Sequence, residues 1–428
     1  MGSCCGILTG TLTGFESKAV SQMVADTPRP ETLAILADLI AFDTVSARSN
    51  RPLIDYAARY FRLHGVSVDI VPSPDDAKAS LWATIGPVVD GGLVLSGHSD
   101  VVPVEGQSWS SDPFTLSSRD GRVFGRGTAD MKGFIACVLA AVPDFLSTAL
   151  QRPIHIALTY DEEIGCLGAP KLLDWLGCQR PRPSMAIIGE PTSMNLVSAH
   201  KGILVARTEI MGVEAHSSLA HKGVSAVALA ARAIGLLEAI EREIAGDRQD
   251  KNFEPAYSTI SVNRIGGGTA VNILAGRAWF EWELRAVPGI DAHAVVETFA
   301  SRLESVVVGP LRDHFPGVDA LTEILADAPA LVPETDGLAE TLAKHLLSTN
   351  ETYAVPFAAE AGQFQRAGFS AVIVGPGSIE QAHKADEYVE LDQLAQCDAF
   401  LSRLAAALAA EGAAINAAPD SRPRQPDV

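Results

Sequence analysis

A histidine and an aspartate stand close together directly after an apolar run that is typical of a buried strand. His98 and Asp100 follow residues 93–95, and the period of a strand places both side chains on one face. A metal-binding histidine commonly donates its second ring proton to a carboxylate, and Asp100 is placed to accept it. A structural hydrogen bond between the two residues is the alternative interpretation of this segment alone.

The second candidate is Asp130, inside the glycine-rich segment 125–133. Gly125 and Gly127 imitate a dinucleotide-binding fingerprint, but Asp130 occupies the place of its third glycine. A carboxylate at that place would repel a pyrophosphate. Glycines on both sides of Asp130 instead fit a tight backbone that directs one carboxylate into a cleft.

Further acids and a second imidazole follow other apolar runs. Glu162 and Glu163 come after residues 154–160, Glu190 follows the next run, and His383 comes after residues 371–374. Adjacent acids at the end of a strand repel each other unless they are solvated, bind a cation or take part in catalysis. For residues 161–163 alone, a solvated turn is the alternative.

Together, these five segments predict a metal centre. Their two imidazoles and three or four carboxylates suit two divalent ions that share a bridging carboxylate. Ligands of α/β sheets collect at the carboxyl ends of the strands, where each segment lies. The set is therefore more specific than any of its members.

The elements that would position these residues alternate between strand and helix. Amphipathic helices over 28–65, strand-like runs up to residue 160 and a helix over 131–146 predict an α/β layer with a buried, largely parallel sheet. The pattern changes after Gly202, where two helices and several strands over about 120 residues predict an inserted α+β unit.

Composition narrows the class of protein. The 428 residues include 33 basic and 52 acidic side chains, and the net charge of −19 argues against a nucleic-acid partner. No apolar run reaches the roughly 18 residues of a membrane-spanning helix, so we expect no membrane partner. The six cysteines form no C-x-x-C pair, which favours the cytoplasm. Residues 1–6 imitate a lipidation signal, but Gly6 stands where myristoylation requires Ser or Thr, so a frayed terminus is expected.

The motifs resemble those of the dinuclear-zinc amidohydrolases and peptidases, a family that includes acetylornithine deacetylase, succinyl-diaminopimelate desuccinylase, aminoacylase and glutamate carboxypeptidase. The resemblance runs from about residue 30 to residue 410. The segments that carry it are residues 96–100, 125–133, 161–165, 189–191 and 375–388.

The resemblance implies a three-layer α/β/α catalytic domain with an inserted α+β, ferredoxin-like lid and dimerisation domain. The predicted bounds are residues 1–202 and 329–411 for the catalytic domain and 203–328 for the insertion. Residues 412–428 are predicted to be a disordered tail.

The resemblance also implies the metal ligands. Asp130 would bridge two zinc or cobalt ions, His98 and Glu190 would complete the ligands of one ion, and Glu163 and His383 would complete those of the other.

Other implied roles concern catalysis around the ions. Glu162 would be the general base, Asp100 the partner of His98, and the peptide bond after Asp130 would be cis. The chain has neither a G-x-S-x-G elbow nor an H-E-x-x-H motif, which disfavours a serine hydrolase and a zincin-type peptidase.

In the inserted unit, three residues match the lid of the family. His216, in residues 212–218, matches a histidine that polarises the scissile carbonyl, in some members from the neighbouring subunit. Asn272 and Arg285 match residues that contact the substrate, and a guanidinium suits its carboxylate. The alternative is that these three are ordinary surface polar residues. Because the family's inserted domain also forms dimers, the resemblance implies a homodimer.

The implied substrate is a small N-acyl amino acid. Glu190 and residues 375–388 are most similar to the ornithine branch, which implies hydrolysis of N2-acetyl-L-ornithine to acetate and ornithine in arginine biosynthesis. Glu360 would meet the cationic side chain. Ala359 and Gly362-Gln363 depart from that branch, so another N-acyl amino acid deacylase is the alternative. A non-catalytic relative is disfavoured because Glu162 and every ligand are present.

Overall fold

The computed structural model describes residues 27–410, so the predictions for residues 1–6 and for the tail from residue 412 lie outside the described part. Up to residue 200 the elements are α1 (Pro30–Ile40), α2 (Arg51–Leu63), β1 (Val68–Pro72), β2 (Ala79–Ile85), β3 (Leu93–His98), β4 (Ser117–Arg119), β5 (Arg122–Phe124), α3 (Lys132–Ser147), β6 (Ile154–Thr159), α4 (Ala169–Gly177), β7 (Met185–Ile188) and β8 (Val197–His200).

Two further groups of elements follow. The first is β9 (Gly202–Met211), α5 (Ala226–Asp247), β10 (Thr259–Gly267), β11 (Arg277–Ala286), α6 (Ala292–Arg302), α7 (Gly309–Arg312) and β12 (Asp319–Ala328). The second is α8 (Leu338–Leu347), β13 (Tyr353–Val355), α9 (Ala361–Arg366), β14 (Ser370–Ile373), β15 (Tyr388–Glu390) and α10 (Leu391–Ala409).

The largest sheet has eight strands in the order β1-β2-β6-β3-β7-β14-β8-β13. Its centre, β6-β3-β7-β14, is parallel, as is the pair β8-β13. The expectation of a largely parallel sheet is corrected at β1-β2-β6 and at β14-β8, where the strands are antiparallel. The sheet is therefore mixed, with its parallel part in the middle.

Helices cover both faces of this sheet and make three layers. Strands β3, β6 and β7 are buried along their whole length, as expected for strands covered on both faces. One face packs against α1, α2, α3, α8 and α10, and the other against α4 and α9. The predicted α/β/α architecture is confirmed.

The second sheet, with the antiparallel order β10-β11-β9-β12, belongs to the insertion. Its chain order of strand, helix, two strands, helix and strand, with β9 and β11 in the middle, is that of a ferredoxin-like unit. Strand β12 was not predicted, because eight of its ten residues are exposed or only partly buried and its apolar alternation is correspondingly weak.

A small third sheet, β15-β5-β4, lies near the edge where the candidate residues collect. Tyr388 of β15 pairs with Phe124 of β5. This pairing places the segment before β15 beside the glycine-rich loop that follows β5. Within residues 27–410, no helix is both long and apolar enough to cross a membrane.

Candidate metal centre

His98 is the last residue of β3 and is almost completely buried, at 1% exposure. Its Nε2 lies 2.9 Å from Asp130 Oδ1 and 3.8 Å from Glu190 Oε1. Glu190 comes two residues after β7, the strand next to β3, so neighbouring parallel strands deliver both side chains. Gly189 is required there because a Cβ would lie 2.0 Å from the ring of Phe134.

The expected hydrogen bond from His98 to the Asp100 carboxylate needs a correction. Nδ1 of His98 lies 2.9 Å from the Asp100 backbone oxygen and 3.6 Å from its Oδ1. The carboxylate is engaged elsewhere, because it accepts hydrogen bonds from the Ser46 hydroxyl at 2.7 Å and the Glu162 backbone N–H at 3.2 Å. Asp100 thus orients His98 through its main chain and the Glu162 loop through its side chain.

Asp130 lies in the loop between β5 and α3, and its peptide bond to Met131 is cis, as expected. The loop is held by Glu387, which sequence reasoning did not single out. Oε1 of Glu387 accepts hydrogen bonds from the backbone N–H groups of Ala129 and Asp130 at 2.9 and 3.0 Å. Its Oε2 accepts from Arg126 Nη1 at 2.6 Å and the Gly127 N–H at 2.9 Å.

Glu163 and His383 complete the cluster on the other side of Asp130. Nε2 of His383 lies 2.9 Å from Glu163 Oε2 and 3.4 Å from Asp130 Oδ2. Glu163 follows β6, and His383 lies between β14 and β15 with a left-handed φ of 63°. The structure therefore brings all five predicted ligands together around Asp130.

Burial and mutual repulsion shape the ionisation of this cluster. Burial, reinforced by neighbouring carboxylates, raises the pKa of Glu162 to about 8 and that of Glu163 to about 7. Burial would lower the pKa of His98, but Glu190 and Asp130 outweigh it and raise that pKa well above its usual value. Hydrogen bonds to Asp130 and Glu163 raise the pKa of His383 to about 10. The carboxylates thus strongly favour a nearby positive charge.

The donor atoms form two overlapping sets. One atom each from His98, Asp130 and Glu190 lie within 4.8 Å of one another, and the same holds for Asp130, Glu163 and His383. Oε1 of Glu190 is buried and makes no hydrogen bond in the described chain, so it is available to a cation. Two sets of imidazole and carboxylate donors that have Asp130 in common fit two divalent ions.

A family model described as Peptidase family M20/M25/M40 matches residues 94–407, which include every member of the cluster. The chain belongs to this family. An acetylornithine deacetylase of Myxococcus xanthus is 37% identical over 383 residues, which cover 88% of this chain and 97% of the relative.

Solved structures of the M20 family share the fold. A metallo-carboxypeptidase of Sulfolobus solfataricus has a TM-score of 0.68 at 18% identity. The match covers 88% of this chain and 99% of the carboxypeptidase chain. A dinuclear metal binding peptidase of Bacillus subtilis has a TM-score of 0.59 at 17% identity. The match covers 87% of this chain and 96% of the peptidase chain. The predicted catalytic domain with an inserted lid is therefore confirmed as the fold of this M20 chain.

The three predicted lid residues, His216, Asn272 and Arg285, have hydrogen-bond and ion-pair partners other than the cluster. His216 is exposed, and its Nδ1 lies 2.7 Å from the Ser218 hydroxyl. The backbone oxygen of Asn272 accepts a hydrogen bond from the Ser217 N–H at 2.9 Å, so His216 and Asn272 are neighbours. Arg285 pairs with Glu283 at 3.4 Å. Among residues 27–410, the hydrogen bonds and the ion pair of these three residues stay within the inserted unit.

Glu360 is buried, at 1% exposure, and precedes α9. Its Oε2 accepts a hydrogen bond from the Ser96 hydroxyl at 3.4 Å, and its Oε1 has no hydrogen-bond partner among residues 27–410. Burial raises its pKa to about 7. The structure thus places a buried carboxylate next to Ser96 of β3, the strand that carries His98.

Proposed function

We propose that the protein hydrolyses the amide of an N-acyl amino acid, with N2-acetyl-L-ornithine as its substrate. The observation that carries the proposal is the pair of ligand sets that share Asp130, beside the acidic residue Glu162. The acetylornithine deacetylase of Myxococcus xanthus, which is 37% identical to this chain over 97% of its own length, supports the choice of substrate. The alternative within the same reaction class is another N-acyl amino acid.

The proposed ligands are His98, Asp130 and Glu190 for one ion, and Asp130, Glu163 and His383 for the other. Bound zinc or cobalt would supply Lewis acidity toward the amide carbonyl and the attacking water. The remaining steps belong to side chains of the chain itself.

Glu162 would take a proton from the water as its oxygen bonds to the carbonyl carbon. The C–N bond then breaks, and Glu162 returns the proton to the departing amine nitrogen. The positive charge of the bound ions would lower the pKa of Glu162 from about 8, so that its carboxylate form is available to take the proton and then to return it. His216 would donate a hydrogen bond to the developing oxyanion, a contribution of about 3 kcal/mol for a well-placed donor.

Three residues would bind the rest of the substrate. Arg285 and Asn272 would contact its carboxylate end, and Glu360 would pair with the δ-ammonium group of ornithine. The support for Glu360 is its buried carboxylate with one unpartnered oxygen. Such a group gains most from a ligand that brings a charge and a hydrogen bond.

We also propose that the protein is a homodimer joined through the inserted unit, residues 203–328. Strand β12 lies at the edge of its sheet and exposes Leu321 at 69% and Leu325 at 41%. An edge strand with exposed apolar side chains is a surface that a second strand covers readily.

The first test replaces the general base. Glu162→Gln should retain the wild-type content of two metal ions but lower kcat about a thousandfold, because general-base catalysis contributes on that order. Acetate release and metal content are measured before and after chelation, with exposed Glu297→Gln of α6 as the matched control. Full activity in Glu162→Gln, or activity that survives complete metal removal, would contradict the mechanism.

The second test addresses the substrate. Glu360→Gln should lower kcat/KM for N-acetyl-L-ornithine roughly tenfold or more, because a charged hydrogen bond is lost. Hydrolysis of N-acetyl-L-norvaline, which lacks the ammonium group, should change little. An N-succinyl substrate preferred by the wild-type protein would overturn the choice of ornithine while leaving the reaction class intact.

A further inference from the structure

The carboxylate of Glu162 is held by a thiol. Cys166, which is buried, donates a hydrogen bond from Sγ to Glu162 Oε1 across 3.2 Å. Among residues 27–410, this thiol is the hydrogen-bond donor to that carboxylate. Burial and the nearby charge of Glu162 hold the pKa of the Cys166 thiol well above its usual value, so the sulfur keeps its proton.

The backbone of Cys166 is fixed on both sides. Its N–H donates to the Glu162 backbone oxygen at 2.8 Å, and its own oxygen accepts from Gln363 Nε2 at 2.9 Å. Its φ of 56° is in the left-handed region, which a residue other than glycine adopts at a cost in energy. These contacts maintain that conformation and aim the thiol at the carboxylate.

Gln363 also ties this turn to the strand that returns from the inserted unit. Its Nε2 donates a second hydrogen bond to the backbone oxygen of Asp327, in β12, at 3.2 Å. Gly165 lies so close to the same strand that a Cβ on it would be 2.4 Å from the Cβ of Ala326. The turn that carries Glu162 is therefore packed directly against β12.

We propose that Cys166 is a positioning residue for Glu162: its thiol proton fixes Oε1 and leaves Oε2 as the oxygen that takes the proton from water. Gln363 holds Cys166 in the required conformation. The inference rests on the proposed function, because it assigns Cys166 a task only if Glu162 is the general base. A buried thiol that merely fills space is the competing explanation.

The first measurement compares substitutions at Cys166. Cys166→Ala and Cys166→Gly remove the donor and should lower kcat about tenfold, with KM and metal content nearly unchanged, because one hydrogen bond to a charged group is lost. Glycine also suits the left-handed φ, so it guards against misfolding of the alanine variant. Cys166→Ser keeps a donor and should retain most of the activity. Cys397→Ala, a buried cysteine in α10, is the control.

The second measurement tests the coupling. Glu162→Asp shortens the side chain and withdraws the carboxylate from the thiol, so adding Cys166→Ala should cause no further loss. Additive losses, equal losses in the serine and alanine variants, or wild-type kcat in Cys166→Ala would each overturn the proposal. Those results leave the wild-type activity and the Glu162→Gln result intact. Absence of amide hydrolysis by the wild-type protein would instead overturn the proposed function and this inference with it.

Discussion

Glu387 uses both carboxylate oxygens to organise the loop that presents Asp130. Three backbone N–H groups and the Arg126 guanidinium donate to it, and both side chains of the ion pair are 1% exposed. Because a carboxylate can accept hydrogen bonds from several backbone donors, Glu387 fixes the direction of Asp130 through the backbone of the loop, including the Asp130 N–H. It is a positioning residue, whereas Asp130 is a proposed ligand.

Glu387→Gln should lower the free energy of unfolding by about 3–5 kcal/mol, because it leaves the buried Arg126 without its anionic partner and turns an amide toward backbone donors. It should also release metal at concentrations that saturate the wild-type protein. Thermal unfolding and metal analysis measure both effects. The control is Glu243→Gln, whose ion pair with Arg302 is exposed and contributes little. Wild-type metal affinity in Glu387→Gln would contradict the role.

At this scale the sequence predicts ligands better than the groups that position them. The recurrence of metal-binding residue types at strand ends indicates a metal centre, and the family resemblance implies its ligands, which are His98, Asp130, Glu163, Glu190 and His383. Glu387 is not, because its partners are mostly backbone N–H groups, which leave no trace in residue type. Gln363 appears in the sequence only as a departure from the ornithine branch; its two hydrogen bonds to backbone oxygens supply the physical reason.

Among the elements, the central strands are so well buried that they hold a neutral histidine. His155 of β6 is 2% exposed, and its ring stacks on Trp82 of β2 with centroids 4.9 Å apart. Burial lowers its pKa to about 4. In the unfolded chain the same group titrates near its ordinary value of about 6.5.

This difference predicts a pH dependence of stability. Between pH 6.5 and pH 4, His155 binds a proton in the unfolded state but not in the folded state. Its contribution to the free energy of unfolding is therefore present above this pH range and is lost as the pH falls through it. His155→Phe should remove roughly 3 kcal/mol of this acid destabilisation while keeping the stack on Trp82. Urea unfolding of the metal-free proteins at pH 7 and pH 4 measures it.

The control for this experiment is His345→Phe, on an exposed position of α8. Equal slopes of stability against pH in wild type and His155→Phe would contradict a neutral, buried His155.

The order of elements was predictable, but two features of the sheets were not. Apolar runs and helical periodicity indicate most strands and helices, because burial selects residue type at each position. The antiparallel pairing of β1, β2 and β6 depends on strand direction, which composition does not encode. Strand β12 was not predicted because most of its residues are exposed or only partly buried.

The whole molecule combines the α/β/α domain, which holds the metal-ligand cluster, with the inserted unit, which carries His216. The bounds of residues 203–328 stay a prediction, as does the dimer. If the dimer brings His216 into the site of the other subunit, two inactive variants should complement each other. Co-expression of Glu162→Gln with His216→Ala should restore up to roughly one quarter of wild-type activity per subunit, since only mixed dimers hold one complete site.

A different affinity tag on each variant and purification over both tags isolate the mixed dimers, and sedimentation reports the oligomeric state. Mixed dimers that stay as inactive as either parent would place His216 in the site of its own subunit. A monomer in solution would overturn the dimer itself.

The cluster draws its side chains from distant parts of the chain, and this separation has a consequence during protein synthesis. Glu190 leaves the ribosome about 190 residues before His383 and Glu387, an interval of roughly 10–40 s at ordinary rates of translation. Until then the nascent chain carries Asp130, Glu163 and Glu190 but neither His383, which completes the second ligand set, nor Glu387, which holds the Asp130 loop. Tight loading of both ions therefore has to wait until translation has passed residue 387, so metal uptake would mark the late stages of synthesis.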